Sequence, residues 1–288
     1  MNSNAATGWH FFLLFLTVNN TFATTISSLT SRLPGHTFAF LLPAIRSKKT
    51  IMKKILHKAN SRGHASHGWL NSYHTFSFSS YNNPDRIHFG ALRVLNDDTV
   101  APGMGFGQHP HDNMEIISIP LSGELKHRDT TGTEAVIKTG DIQIMSAGSG
   151  LQHSEMNNSR SEEVKFLQIW VFPKERNIKP RYDQKTFNST LRINNWQLIV
   201  SPEKNDDSIW INQDAWFSMA KLEKGKILNY NLHQKNNGVY VFILKGDAQL
   251  AGESLNTRDG LGISETDEIS FSTNSEAEIL LMEVPMSF

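Results

Sequence analysis

The chain contains no cysteine in its 288 residues. This excludes a disulfide framework and every thiolate metal site, and it leaves imidazole and carboxylate as the only strong side-chain ligands for a metal. An excess of either charge is missing as well: Lys and Arg total 28, Asp and Glu total 28, and the formal net charge is +0. No global field draws the protein toward nucleic acid or anionic lipid, so neither is expected as a direct partner and a small molecule is. Long apolar runs are scarce. The stretch FFLLFLTV at Phe11–Val18 falls far short of the roughly 20 residues needed to cross a bilayer as a helix. Long helical periodicity does not occur.

Acidic residues are wholly missing from residues 1–51, which are rich in Ser and Thr. A secretory signal needs a basic residue before its apolar run, and the first one here is Arg32. Three readings stay open for this stretch: a non-core extension upstream of a start at Met52, a transit peptide, or a signal segment. None contributes to the fold, and the body is expected to be cytoplasmic.

From Met52 onward, short β-branched and aromatic runs dominate. Examples are HTFSFSSY, FGALRVLND, KFLQIWVFP and VYVFILKGDAQL, separated by Gly, Asn, Asp and Pro. Strands recurring at this spacing predict an all-β chain of antiparallel sandwiches or barrels. A strand, a small-residue turn and a final apolar strand occur in both halves (GDIQIMSAGSG…VKFLQIWVFP and DEISFSTNSEAEILLMEVP), which suggests two copies of one barrel. The aperiodic stretch ERNIKPRYDQKTFNS from Glu175 reads as the connector. The expected division is therefore 1–51 outside the core, 52–180 as the first barrel and 181–288 as the second.

Among 12 histidines, two stand one residue apart in GFGQHPHDNMEI, and a third precedes a glutamate at the same spacing in GSGLQHSEMN. Alternate residues of a strand share a face, so His109 and His111 point the same way, as do His153 and Glu155. If the two strands are neighbours, three imidazoles and one carboxylate converge, leaving positions open on an octahedral ion. One His-x-His on a strand is more often a surface or core feature; two same-parity pairs beside glycine-rich turns shift the balance to a metal site. Such a set accepts Fe, Mn, Co, Ni, Cu or Zn, and a single divalent ion, Fe2+ first, is expected. Glu115 shares the parity of His109 and His111, which leaves it open as a fifth ligand, an acceptor behind the ligands or a base facing substrate. The second half has only His233 and is expected to hold no metal.

Other notable residues are assigned more ordinary roles. His64, His67 and His74 share no ligand parity and are expected in a strand and loop packed on the barrel. HRD at His127–Asp129 lacks the Gly-rich loop and lysine of a kinase and is expected to be a surface turn. Trp170 and Phe172 alternate along a strand and are expected in the core or a cavity wall.

Gly103, His109, His111 and Glu115, followed by Gly140, His153 and Asn157, resemble the two motifs of the cupin barrels, with Ser146 where many cupins have proline. More narrowly, RGHASHGWLNSYHTFSF, FGALRVLNDD, HPHDNMEI, DIQIMSAGSGLQHSE and PRYDQKTF resemble the pirin family, particularly its bacterial members, over nearly all of residues 52–288. The resemblance implies two tandem cupin (jelly-roll-type) barrels, with a metal held by His109, His111, His153 and Glu155. It implies two candidate functions. One is a metal-dependent dioxygenase that opens flavonols such as quercetin with dioxygen and releases carbon monoxide, Glu155 or Glu115 accepting the 3-hydroxyl proton. The other is a non-enzymatic metal-bearing regulator acting through protein partners.

Overall fold

The computed structural model describes residues 52–204 and 206–288; the expectations for residues 1–51 lie outside them. The regular structure of the described chain is strand, apart from short 3-10 turns at Ala59–Ser61 and Ser189–Arg192. Among the described residues no helix is long and apolar enough to cross a membrane.

The strands form two seven-stranded and two four-stranded sheets. The first large sheet runs Arg181–Thr186, Asp141–Ser146, Glu115–Ser122, Val164–Val171, Leu92–Val100, Leu70–His74, Gly63–Ser66. Its smaller companion runs Gly105–His111, Leu151–Asn157, Glu124–Asp129, Glu134–Lys138. The second half repeats the plan, with Lys53–His57, Gly260–Ser264, Asn237–Lys245, Ala277–Pro285, Trp216–Leu222, Gln197–Ser201 and Ile209–Trp210 in the large sheet. Ile227–Asn231, Glu268–Ser272, Asp247–Leu250 and Glu253–Asn256 make up its small sheet. Each half is thus a two-sheet sandwich of jelly-roll character rather than one continuous closed sheet, and its edges are left to short strands.

Two expectations about organisation are corrected by strand pairing. Arg181–Thr186, read as connector, pairs with Asp141–Ser146 and finishes the first large sheet. Lys53–His57 crosses to pair with Gly260–Ser264 of the second. The halves therefore exchange edge strands, and the structural division does not fall at 180/181. Edge strands are half-exposed and carry little alternation, so periodicity could not reveal them.

The large sheets pack face to face through one apolar cluster. It takes Ile117, Ile144, Leu167 and Ile169 from the first and Phe217, Tyr240, Phe242, Leu280 and Met282 from the second. Burial of one such side chain stabilises by about 1.5–3 kcal/mol. The interiors of the two sandwiches differ. The second is filled by one continuous apolar cluster that includes Val241, Ile263, Ile269, Phe271 and Leu281. The first has two small clusters, one around Leu70, Val100, Leu125 and Phe166 and one around Ile116, Met145 and Leu151. Between them lies a row of polar residues that occupy mutually opposite positions on adjacent strands: Gln143, Ser118, Gln168, Asn96 and His74. The functional site lies along this row.

Candidate metal centre and its cavity

Leu151–Asn157 alternates as a half-buried strand should: Leu151, His153, Glu155 and Asn157 are buried while Gln152, Ser154 and Met156 are more exposed. Gly105–His111 pairs with it antiparallel and sets His109 opposite His153 and His111 opposite Leu151. The three rings meet with centroids 4.4 Å (His109–His153), 4.8 Å (His109–His111) and 4.9 Å (His111–His153) apart. One nitrogen from each lies within 4.8 Å of the others. The turn before His153 depends on Gly148, whose φ is +50°; a Cβ there would stand 2.1 Å from the carbonyl oxygen of Ile178.

The rings are prepared as ligands. His109 Nδ1 donates to the carbonyl of Gly107 at 2.7 Å, which leaves Nε2 with its lone pair free. Burial, then the neighbouring His109, lowers His111 to about 4 against a smaller opposing effect of Asp112. Burial, then His109, His111 and His127, lowers His153 to about 2. His111 and His153 are therefore neutral at physiological pH, the form that ligates. Both ring nitrogens of His153 are buried without a hydrogen-bond partner. An orphaned buried polar atom costs about 1–3 kcal/mol, and a divalent ion shared by the three imidazoles would relieve it, so the donor set fits a metal.

Glu155 is fully buried beside this cluster but is not one of the three converging groups. A register shift between His153 and Glu155 offsets it from the neighbouring strand. Its Oε1 accepts from Ser118 Oγ at 2.9 Å and its Oε2 from Gln168 Nε2 at 2.6 Å. Each oxygen keeps a further lone pair, so these bonds aim the carboxylate without exhausting it. Burial raises its pKa, against the hydrogen bond from Ser118 and the charges of His127 and His109.

Glu115 goes elsewhere. The chain leaves its strand at His111 and turns through Asp112–Met114, with Asn113 at φ 45°, so parity does not carry across. Glu115 opens the next strand on the face of Ile117 and Ile119, toward the core between the halves. Its Oε2 accepts from Ser146 Oγ at 2.8 Å and from the Asn212 amide at 3.2 Å, and Oε1 is buried without a partner. It lines neither cavity beside the histidines. The base, ligand and acceptor roles expected for it are corrected accordingly.

His127 and Asp129 form no surface turn. Both side chains are fully buried, His127 Nε2 donates to Asp129 Oδ2 at 2.9 Å, and the His127 ring lies 5.4 Å from His153 and 4.7 Å from Tyr182. Alternation along Glu124–Asp129 turns them inward.

His109 and His111 open on a cavity of about 520 Å3, within the range of small-molecule sites. His109, His111 and Phe106 form one wall, and Ser72, Asn96 and Asp98 stand on the facing sheet. Trp170, edge-on to His111 at 4.9 Å, separates this space from an outer groove at Pro110 and Gly150. The segment from Gly63 to His74 covers the cavity: His67, Trp69 and His74 line it, and none joins the imidazole cluster. Sequence reasoning missed Ser118, Gln168, Asn96 and Asp98. For Ser118 and Gln168 the signal was a polar residue at inward parity inside an apolar run, as in IISIP and KFLQIWV; Asn96 and Asp98 lie in the polar stretch NDDT and carried no such signal.

In the second sandwich, Glu268–Ser272 takes the place of Leu151–Asn157 and turns Ile269 and Phe271 inward where the first has His153 and Glu155. The likeness of the two halves in sequence sets this strand against Asp141–Ser146, whose counterpart in the sheet order is Gly260–Ser264.

Comparison with known proteins gives consistent findings. The family model Pirin matches residues 56–171, and the model for the quercetinase C-terminal cupin domain matches residues 198–284. The chain is 41% identical over 232 residues to a quercetin 2,3-dioxygenase of Escherichia coli, covering 80% of this chain and 98% of that one. It is 38% identical over 222 residues to a pirin-like protein of Caulobacter vibrioides, covering 77% and 95%. A solved structure of the bacterial pirin YhhW from Escherichia coli in complex with nickel(II) superposes with a TM-score of 0.77 at 40% identity, covering 81% of this chain and 99% of that one.

Proposed function

This chain belongs to the pirin family, and on that premise we propose that it is a metal-dependent dioxygenase that opens flavonols such as quercetin. The observation that carries the proposal is the meeting of three imidazoles, one of them buried with both nitrogens orphaned and the other two on the wall of a cavity with aromatic sides. The names borne by its relatives supply the substrate class.

His109, His111 and His153 would hold a divalent transition metal with Glu155 as fourth ligand; our first assignment is Fe2+, and the same donors accept nickel. Bound there, the ion supplies Lewis acidity that acidifies a coordinated hydroxyl and makes the flavonol electron-rich. The remaining work falls to the chain. Glu155, aimed by Ser118 and Gln168, accepts the 3-hydroxyl proton. Trp69, Phe78, Phe106 and Trp170 supply aromatic surface for flat rings and keep water from the reacting face.

The test is an aerobic flavonol assay on protein purified without chelator, alongside His153→Ala. Ring-opened product from the wild type and none from the variant, with metal lost in parallel, supports the reading. Fully metallated wild type without product would end it and leave the partner-binding regulator.

A further inference from the structure

The wall facing the histidines has a distinct polarity. Asp98 is buried and lines the cavity, and its Oδ1 accepts from Ser72 Oγ on the adjacent strand. His74 lines the same wall, its Nδ1 bonded at 3.0 Å to Asn96 Oδ1. Because Asn96 Oδ1 can only accept, Nδ1 carries the proton and the Nε2 of the neutral ring is an acceptor. Burial lowers His74, which keeps it neutral. No lysine or arginine is among the residues lining this cavity. Beside the amide donor of Asn96, the surface therefore offers the acceptors of Asp98 and His74 without a cation, which disfavours carboxylates and phosphates and suits hydroxyl groups. Burial, against the Ser72 hydrogen bond and with the Glu155 and Asp97 charges, pushes Asp98 up to about 7, so a donor that relieves its desolvation is welcome.

Facing sheets of a sandwich lie about 10 Å apart, a separation that a flat molecule of two or three rings bridges. We propose that Asp98 and His74 determine specificity by accepting hydrogen bonds from ring hydroxyls remote from the metal-binding oxygen, so that the site selects neutral polyhydroxylated planar phenols over less hydroxylated ones. This rests on the flavonol reading above and names the part of the flavonol that is recognised.

The experiment is equilibrium binding of quercetin and 3-hydroxyflavone to the metal-loaded protein, measured anaerobically by calorimetry so that no turnover is involved. The two share the 3-hydroxyl and 4-carbonyl, and only quercetin has further hydroxyls. Wild type should favour quercetin by about tenfold or more, the scale of a buried hydrogen bond that one ligand makes and the other cannot. Asp98→Asn keeps the carbonyl that Ser72 reaches but turns an amide donor into the cavity. It should weaken quercetin by about tenfold and leave 3-hydroxyflavone within about twofold. His74→Phe removes the other acceptor, must reduce the same preference, and decides the question should Asp98→Asn fail to fold. An unchanged preference in the folded variants, or a wild type that binds both ligands equally, would overturn the inference and leave the dioxygenase proposal standing. A metallated wild type that binds neither ligand would overturn that proposal, and the inference with it.

Discussion

Glu115→Gln separates a carboxylate that serves chemistry from one merely tolerated between the two halves. Glu115 is buried, with one oxygen bonded to Ser146 and the Asn212 amide and the other without a partner. Burial pushes its pKa from 4.5 up to about 7, against the hydrogen bonds from Ser146 and Asn212 and the charge of Arg181. Between those values the unfolded chain binds fewer protons than the folded one, so this group erodes stability as pH rises from about 4.5 to about 7 and holds the full penalty above. At about 1.4 kcal/mol per pH unit the penalty is about 3 kcal/mol. Glutamine keeps the carbonyl that Ser146 and Asn212 reach and never ionises. Urea unfolding of wild type and variant at pH 5 and pH 8 should show the variant gaining stability at pH 8, by up to about 3 kcal/mol, and little at pH 5. Turnover should stay within about twofold, because the side chain faces away from the cavity. A variant destabilised equally at both pH values would refute the burial argument. A fall in turnover of about 10²-fold, the scale of losing a general base, would refute its placement.

Other predictions follow from the packing and the site. His111→Ala and His153→Ala should each lose bound metal by elemental analysis while keeping a wild-type circular dichroism spectrum. Phe242→Ala, in the cluster between the large sheets, should cost about 3–5 kcal/mol in denaturant unfolding. A chain begun at Ala59 loses Lys53–His57 and the 2.8 Å bond between His57 and Tyr240; its melting temperature should fall by about 5 °C or more relative to a chain begun at Met52. Gly148→Ala forces a Cβ against the Ile178 carbonyl at a positive φ and should lower both stability and metal retention.

The parts of this structure legible in the sequence are those governed by local alternation. The period of two exposed the strands, and it placed His109, His111 and His153 on inward faces without knowledge of the sheet order. Parity failed at Glu115, where three intervening residues form a turn that the sequence does not distinguish from continued strand. Polarity misled at His127 and Asp129, whose character suggested a surface although alternation along their strand turns them inward. Lys53–His57 and Arg181–Thr186 escape sequence reading for a different reason. Pairing between the distant Lys53–His57 and Gly260–Ser264 is set by the packing of the two sandwiches, and half-exposed edge strands leave no apolar period. Gln143, Ser118 and Gln168 of the polar row were written in the sequence as single polar residues within apolar runs, whereas Asn96 and His74 stand among other polar residues. Only the register of five adjacent strands shows that they form one feature.

The most direct test of the central claim is gas and product stoichiometry on protein whose metal content has been measured. Quercetin and dioxygen are supplied to the metallated wild type, with dioxygen uptake, carbon monoxide release and ring-opened ester followed together. The account predicts that one dioxygen is consumed and one carbon monoxide released for each flavonol opened, with all three signals absent from His153→Ala. Fully metallated protein that leaves quercetin intact under dioxygen would contradict it.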